Sequence, residues 1–281
     1  MAGLSALPSG RQFELAHGDQ RATVVEVGGG LRTFTVGGRP IVAGFGEREM
    51  CSAGRGQVLM PWPNRITGGR YTFDGHDYQL AITEASRSTA IHGLVRWSAW
   101  NAVETASNRV LLSHRLHPQP GYPFSLDLSV EYELSVDGLT VTSHAVNVGP
   151  DACPFGAGFH PYLAPDGASV DATVLSLPAR QPSDFLEPRV VGDVELDTCF
   201  TDLQRDDDGM ARARFGATTV WVDRAFPYLM AFSADTLGPE ERRRSLAIEP
   251  MTCAPDAFNT GKGLLVLRPG ASWSGVWGIA P

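Results

Sequence analysis

Lysine is almost missing from this sequence: of 23 Lys+Arg residues, Lys262 is the only lysine. A phosphate-cradling GxxxxGK[ST] loop is therefore excluded, and a Schiff-base amine has one candidate. Positive charge is also short overall, since 31 Asp+Glu give a net charge of −8. That balance argues against a nucleic-acid partner or an anionic membrane surface. No run of ~18 apolar residues occurs, which argues against a membrane span. Cys51, Cys153, Cys199 and Cys253 are widely separated with no CxxC pair, so neither a zinc ribbon nor a redox motif is supported. The opening MAGLSALPSGRQFELAHGDQ has no basic leader and no long apolar run. On that reading the cysteines are reduced thiols and the expected location is cytoplasmic. GxSxG, HExxH and EF-hand signatures are missing as well.

What is present is punctuation. The 281 residues include 31 Gly and 20 Pro, spread throughout, which leaves little room for helices. Two-residue turn signals separate β-rich runs: Gly37-Gly38, Asp74-Gly75 and Asp137-Gly138. SLDLSVEYEL alternates, with Leu126, Leu128, Val130, Tyr132 and Leu134 on one face and polar residues on the other. This is a strand with one wet face, and LTVTSHAVNV is its expected partner. The best helix candidate is a short turn around Pro239 to Arg244. With no composition shift or internal repeat to mark a boundary, residues 1–281 read as one antiparallel all-β domain of two packed sheets.

Four segments interrupt the strand pattern. In VLMPWPNRI, Pro61 and Pro63 break a regular ladder and present Trp62, Asn64 and Arg65. An aromatic ring, an amide and a guanidinium suit a polyhydroxylated ligand, and a structural turn with Arg65 in an ion pair fits equally. AIHGL places His92 between an isoleucine and a glycine, and GAGFHPYL places His160 before Pro161. Either histidine alone reads more readily as a packed core imidazole. Glycines 156 and 158 would permit close approach of a ligand or of the chain itself. In SLAIEPMTCAPDAFN, Ala247 and Glu249 share a face and Pro250 is expected to end the pairing. A carboxylate in such company has a raised pKa if buried, although a strand-end glutamate in water is the commoner case. Asp197 in VELDTCF is similar. His114 and His117 sit on opposite faces of a strand and do not make a metal site.

Taken as an ordered set, PWPNRI, YTFDGHDYQL, IHGL, GFHPYL and the C-terminal Glu-Pro run resemble the aldose 1-epimerase (galactose mutarotase) family, from about residue 20 onward. The resemblance implies a galactose mutarotase-like β-sandwich with a sugar cleft across one sheet. It implies that His160 is the general acid, Glu249 the general base and His92 a second active-site histidine. Arg65 would bind sugar hydroxyls and Asp197 would bind substrate. It implies no cofactor and no metal, and a small-molecule sugar as the partner. The better-known members carry Asn before the acid histidine and Tyr-Phe-Asn after it. Here Phe159 precedes His160 and Pro161-Tyr162-Leu163 follow, which leaves the acid in place and the preferred sugar open. A free hexose is the leading substrate. A hexose 6-phosphate is the alternative, because Arg65, Arg70, Arg87 and Arg96 lie near the site in sequence. A non-catalytic sugar-binding domain, or a glycosidase pairing Glu249 with Asp197, stands further off.

Overall fold

The computed structural model describes residues 6–167 and 169–281. The first five residues of the segment read for a leader lie outside them. No helix among the described residues is long and apolar enough to cross a membrane.

Strand alternation dictates the architecture. Leu126–Ser135 buries every second residue, and it pairs antiparallel with Gly138–Asn147 from Leu126↔Asn147 to Ser135↔Gly138. The loop between them is Val136–Asp137, so the hairpin closes one residue earlier than the Asp-Gly signal suggested. Gly138 enters the second strand at φ +113°. The other two turn signals sit where expected, with Val36↔Arg39 flanking Gly37-Gly38 and Phe73↔His76 flanking Asp74-Gly75. All four of those turn residues have positive φ, the requirement that selects Gly and Asp there.

Arg70–Phe73 and His76–Gln79 stay a two-stranded sheet of their own. The hairpins at Leu126–Asn147 and around Gly37-Gly38 grow into a nine-stranded and an eleven-stranded sheet, both antiparallel. Their inner faces share one continuous apolar core, including Trp100, Trp277, Phe34, Phe155 and Phe215. Burying each such side chain contributes roughly 1.5–3 kcal/mol, before the opposing chain entropy. Tyr132, on the nine-stranded sheet, donates its hydroxyl to the Gly29 carbonyl at 2.7 Å, which satisfies the phenol inside that core. Helix is scarce. The segment 239–244 forms turns, and the α-helix among the described residues is Ala257–Thr260.

The eleven-stranded sheet carries the functional geometry. Its middle strand Leu246–Met251 is flanked by Tyr162–Leu163 and by Tyr228–Phe232, and Tyr228–Phe232 pairs in turn with Asp197–Leu203. Pro250 does not end the pairing: it lies opposite Leu229, and the ladder runs on to Tyr228↔Met251. Burial on both faces makes all six residues of this strand interior.

Candidate active site

Three local structures converge on one cleft. Glu249 stands in the middle of Leu246–Met251, opposite Met230. His160 lies between the short strands Gly158–Phe159 and Tyr162–Leu163, both paired to that same strand. Arg65 and His92 come from a small separate sheet, in which Arg65–Thr67 pairs with Thr89–Ile91 and Arg65 lies opposite Ile91. Asp256 fastens this sheet to the helix beside it. Its backbone N–H donates to the Arg65 carbonyl at 2.8 Å, and its side chain accepts from the Thr67 N–H at 2.9 Å.

The cleft has a volume of about 530 Å³. His160, Glu249, His92, Arg65 and Asp197, the five residues singled out from the sequence, all line it. Arg87 and Arg96 line it too, whereas Arg70 is directed elsewhere and donates to Gln79. Trp62 is not a platform for a ligand. It is 2% exposed and packs edge-on against Phe258. The two glycines serve the chain itself: a Cβ at Gly156 would come 2.6 Å from Cys253 Sγ, and one at Gly158 would come 2.7 Å from Pro63 Cβ. Among residues that sequence reasoning passed over, Glu84 and Tyr162 matter most. Tyr162 was legible, since it sits two residues beyond His160; Glu84 carried no signal in its own segment.

The floor is a buried acid–base pair. His160 Nε2 lies 3.4 Å from Glu249 Oε1, and the two residues are 4% and 2% exposed. Glu249 Oε2 and His160 Nδ1 have no hydrogen-bond partner among the described residues. Burial pushes the Glu249 carboxyl well above its ordinary range; the nearby Asp197 adds to this and Arg65 opposes it. Burial, then the positive charge of Arg55, takes His160 down to about 3. His92 is likewise held well below the usual imidazole value, by burial first and then by His160 and the arginines.

His92 has a defined tautomer. The Asn64 backbone N–H donates to its Nδ1 at 3.2 Å, so the ring proton of the neutral imidazole is on Nε2. Its own backbone N–H donates to the Asn64 carbonyl at 2.8 Å, with φ near +63° at His92 and +54° at Asn64. Backbone strain of this kind is stored where a side chain must be aimed. His92, His160 and Glu249 place potential ligand atoms within 4.8 Å of one another, a cluster that spacing along the chain did not reveal. Coordination through Nε2 of His92 would need its proton moved to Nδ1, into the Asn64 N–H. The donor set therefore suits hydrogen bonding to an organic ligand better than a cation.

The rim is a charge network. Arg65 holds Glu84 in a two-pronged pair, Nε to Oε2 at 2.7 Å and Nη2 to Oε1 at 3.0 Å, and Thr89 donates to the same carboxylate at 2.7 Å. Asp197 lies 3.0 Å from Arg87 Nη1 and 3.8 Å from Arg65 Nη1. Burial disfavours the Glu84 charge, yet its hydrogen bonds to Arg65 and Thr89 bring its pKa below the ordinary carboxylate value. A network with both signs, partly open to water, presents donors and acceptors in fixed directions and suits a ligand covered in hydroxyl groups.

The sequence profile of the family described as Aldose 1-epimerase matches residues 11–279. The Escherichia coli K12 protein named "Uncharacterized protein YihR" is 39% identical over 278 residues, covering 93% of this chain and 90% of its own length. A GalM/aldose epimerase homologue from C. elegans superposes with a TM-score of 0.83 at 20% identity, covering 96% of this chain and 98% of its own. A galactose mutarotase-like protein from Clostridium acetobutylicum superposes with a TM-score of 0.80 at 18% identity, with 95% and 93% covered. At these identities the solved structures show a shared fold.

Proposed function

Since the chain belongs to the aldose 1-epimerase family, we propose that it interconverts the α and β anomers of a free hexose by opening and reclosing the ring. The observation that carries this reading is the buried His160–Glu249 pair, 3.4 Å apart at the floor of a polar cleft. The anomeric hydroxyl and the ring oxygen are bonded to the same carbon. An acid and a base that serve both must therefore converge within a few ångströms, as these two do.

Glu249 takes the proton from the anomeric hydroxyl while His160 delivers one to the ring oxygen. The bond from the anomeric carbon to the ring oxygen breaks and an aldehyde forms. Its carbonyl rotates, and closure on the other face returns both protons by the reverse route. His92 presents its Nε2–H toward the same region and stabilises negative charge growing on oxygen. Arg65 and Asp197, each held by its partners, bind ring hydroxyls and fix the sugar's orientation. Burial favours the uncharged form of each group, with the shared proton on Glu249 and His160 neutral. The reactive arrangement, carboxylate plus imidazolium, has the same number of protons and differs only by transfer across the pair.

A second reading is favoured by one residue. Arg96 lines the cleft, yet among the described residues no carboxylate pairs with it; it lies 5.7 Å over the Trp97 ring. A free guanidinium there suits an anionic substituent such as the phosphate of a hexose 6-phosphate. Anomer exchange followed by NMR across glucose, galactose, xylose, arabinose and glucose 6-phosphate tests both readings. Acceleration with a neutral sugar supports the first, a marked preference for the phosphorylated sugar replaces it with the second, and no acceleration with any of them leaves a sugar-binding domain.

A further inference from the structure

The ring of His160 is oriented without a second hydrogen bond. Its Nδ1 has no hydrogen-bond partner among the described residues, so no other residue's carbonyl or carboxylate fixes the imidazole from behind. Packing does that instead. Tyr162 stacks on the ring at 4.9 Å and 13°, His92 meets it edge-on at 5.2 Å, and Gly54 closes on its Cδ2 edge so tightly that a Cβ there would come within 3.0 Å. Tyr162 is fixed in turn. Its hydroxyl donates to the Ala53 carbonyl at 3.2 Å, and the Arg55 guanidinium lies 4.1 Å from its ring centroid.

Arg55 is unusual for a cation. It is 6% exposed and does not line the cleft. Its Nη1 donates to the Ala43 carbonyl at 3.0 Å and to Ser245 Oγ at 3.1 Å, and its Nη2 reaches Glu241 Oε1 at 3.2 Å. Glu241 is partly open to water and also accepts from Ser52 Oγ at 2.6 Å. A buried guanidinium with a half-solvated counterion keeps much of its field inside the protein.

We propose that Arg55 is a positioning residue for His160, acting through the Tyr162 ring and through its own buried charge. The proposal rests on His160 being the acid of the reaction above, although its physical core, the effect of Arg55 on the imidazole, stands without turnover. A positive charge behind an imidazole disfavours the imidazolium and makes it a stronger proton donor once formed. The other charged or titratable groups around His160 are Glu249 on the middle strand, Tyr162 on its neighbour, His92 and Arg96 after the strand Thr89–Ile91, and Arg65 on the small sheet. None of these but Tyr162 touches Arg55 in the contacts described. Replacing Arg55 also leaves the Glu241 carboxylate unpaired, which acts on His160 in the same direction as loss of the cation.

The test uses the full chain and two readouts: the pH dependence of anomer exchange, and ¹⁵N imidazole titration of His160 by NMR, which needs no activity. With Arg55→Met, the His160 titration and the acid limb of the rate profile should move toward neutral pH by ~1 pH unit, and kcat should fall ~10–100-fold with KM little changed. Arg55→Lys keeps the charge and should restore the titration while recovering only part of kcat. Glu241→Gln, at the solvent-facing end, leaves Arg55 uncompensated and should move the titration the opposite way, so a test remains if Arg55→Met does not fold. An unchanged His160 titration in both Arg55→Met and Glu241→Gln overturns the inference. If the parent exchanges no anomers while the titrations shift as stated, the function proposed above fails and this inference stands.

Discussion

His160 Nε2 and Glu249 Oε1 face each other at 3.4 Å in a place where water barely reaches, and each makes the other's ionisation a shared matter. Burial has raised the carboxyl and lowered the imidazole, the reverse of the order that two exposed side chains would show. The pair thus holds one proton over a wide span of pH. The following expectations depend on that.

The rate profile should be a broad plateau and not a narrow bell. On the acid side, activity falls only when the pair gains a second proton, governed by a His160 value of about 3. On the alkaline side it falls when the pair loses its single proton, governed by the raised Glu249 value. Both limbs belong to the pair. Measured kcat/KM against pH should stay flat across both about 4.3 and about 6.5, the ordinary glutamate and histidine values, where an exposed pair would put its flanks. A narrow maximum between those values would show that burial does not control the pair.

Glu249 should cost the protein stability. Its folded pKa lies above the unfolded value, so its contribution is fully present at pH below the unfolded carboxyl range and is lost as pH rises toward the folded value. Glu249→Gln removes that dependence while keeping shape. Thermal melts should show the variant gaining on the parent as pH rises above about 4.5, by roughly 2–4 °C for each kcal/mol of relieved penalty. A difference in Tm that stays constant from pH 5 to 9 would contradict a raised folded pKa.

A strong chelator should leave activity unchanged, and added zinc should not raise it. The reason is the His92 tautomer fixed by the Asn64 N–H, which turns Nε2 into a donor. Loss of activity on chelation with recovery on zinc or manganese would mean that the three clustered side chains bind a cation after all.

How much of this was legible in the sequence depends on the kind of signal each part carries. The long hairpin at Leu126–Asn147 could be read because alternation and turn chemistry are local. The site's five residues could be named because their short segments kept a recognisable order. Their pairing in space could not, since Arg65 and His92 meet through a two-stranded sheet whose register no local pattern encodes. The choice between a ligand surface and a structural turn at Trp62 stayed open because burial by a distant partner, Phe258, is invisible in a proline-rich segment. Pro250 was misread for a related reason: a proline need not end a ladder, and only the register shows Leu229 opposite it. Arg55, unremarkable in sequence, owes its role wholly to tertiary packing.

The arginines should divide the substrate's contacts. Arg65→Ala frees Glu84 and loosens Asp197, so saturation by a neutral hexose should weaken markedly. Arg96→Ala removes a cation that no carboxylate balances. If the substrate is neutral, KM for hexose should change less than about 3-fold in Arg96→Ala. A loss of 10-fold or more confined to glucose 6-phosphate would point to the anionic sugar.

The most direct measurement is anomer exchange by NMR in the parent and in Glu249→Gln and His160→Asn, each checked for folding. Gln keeps the shape of Glu249 but cannot take the proton, and Asn removes the ring that delivers one. Each variant should lose ~10²–10⁴ in turnover with smaller effects on sugar affinity. The double variant should lose less than the product of the two, because one proton transfer serves both ends of the same ring opening. A folded Glu249→Gln that exchanges anomers at close to the parental rate would contradict the account, and Asp197 would then be the next base to test.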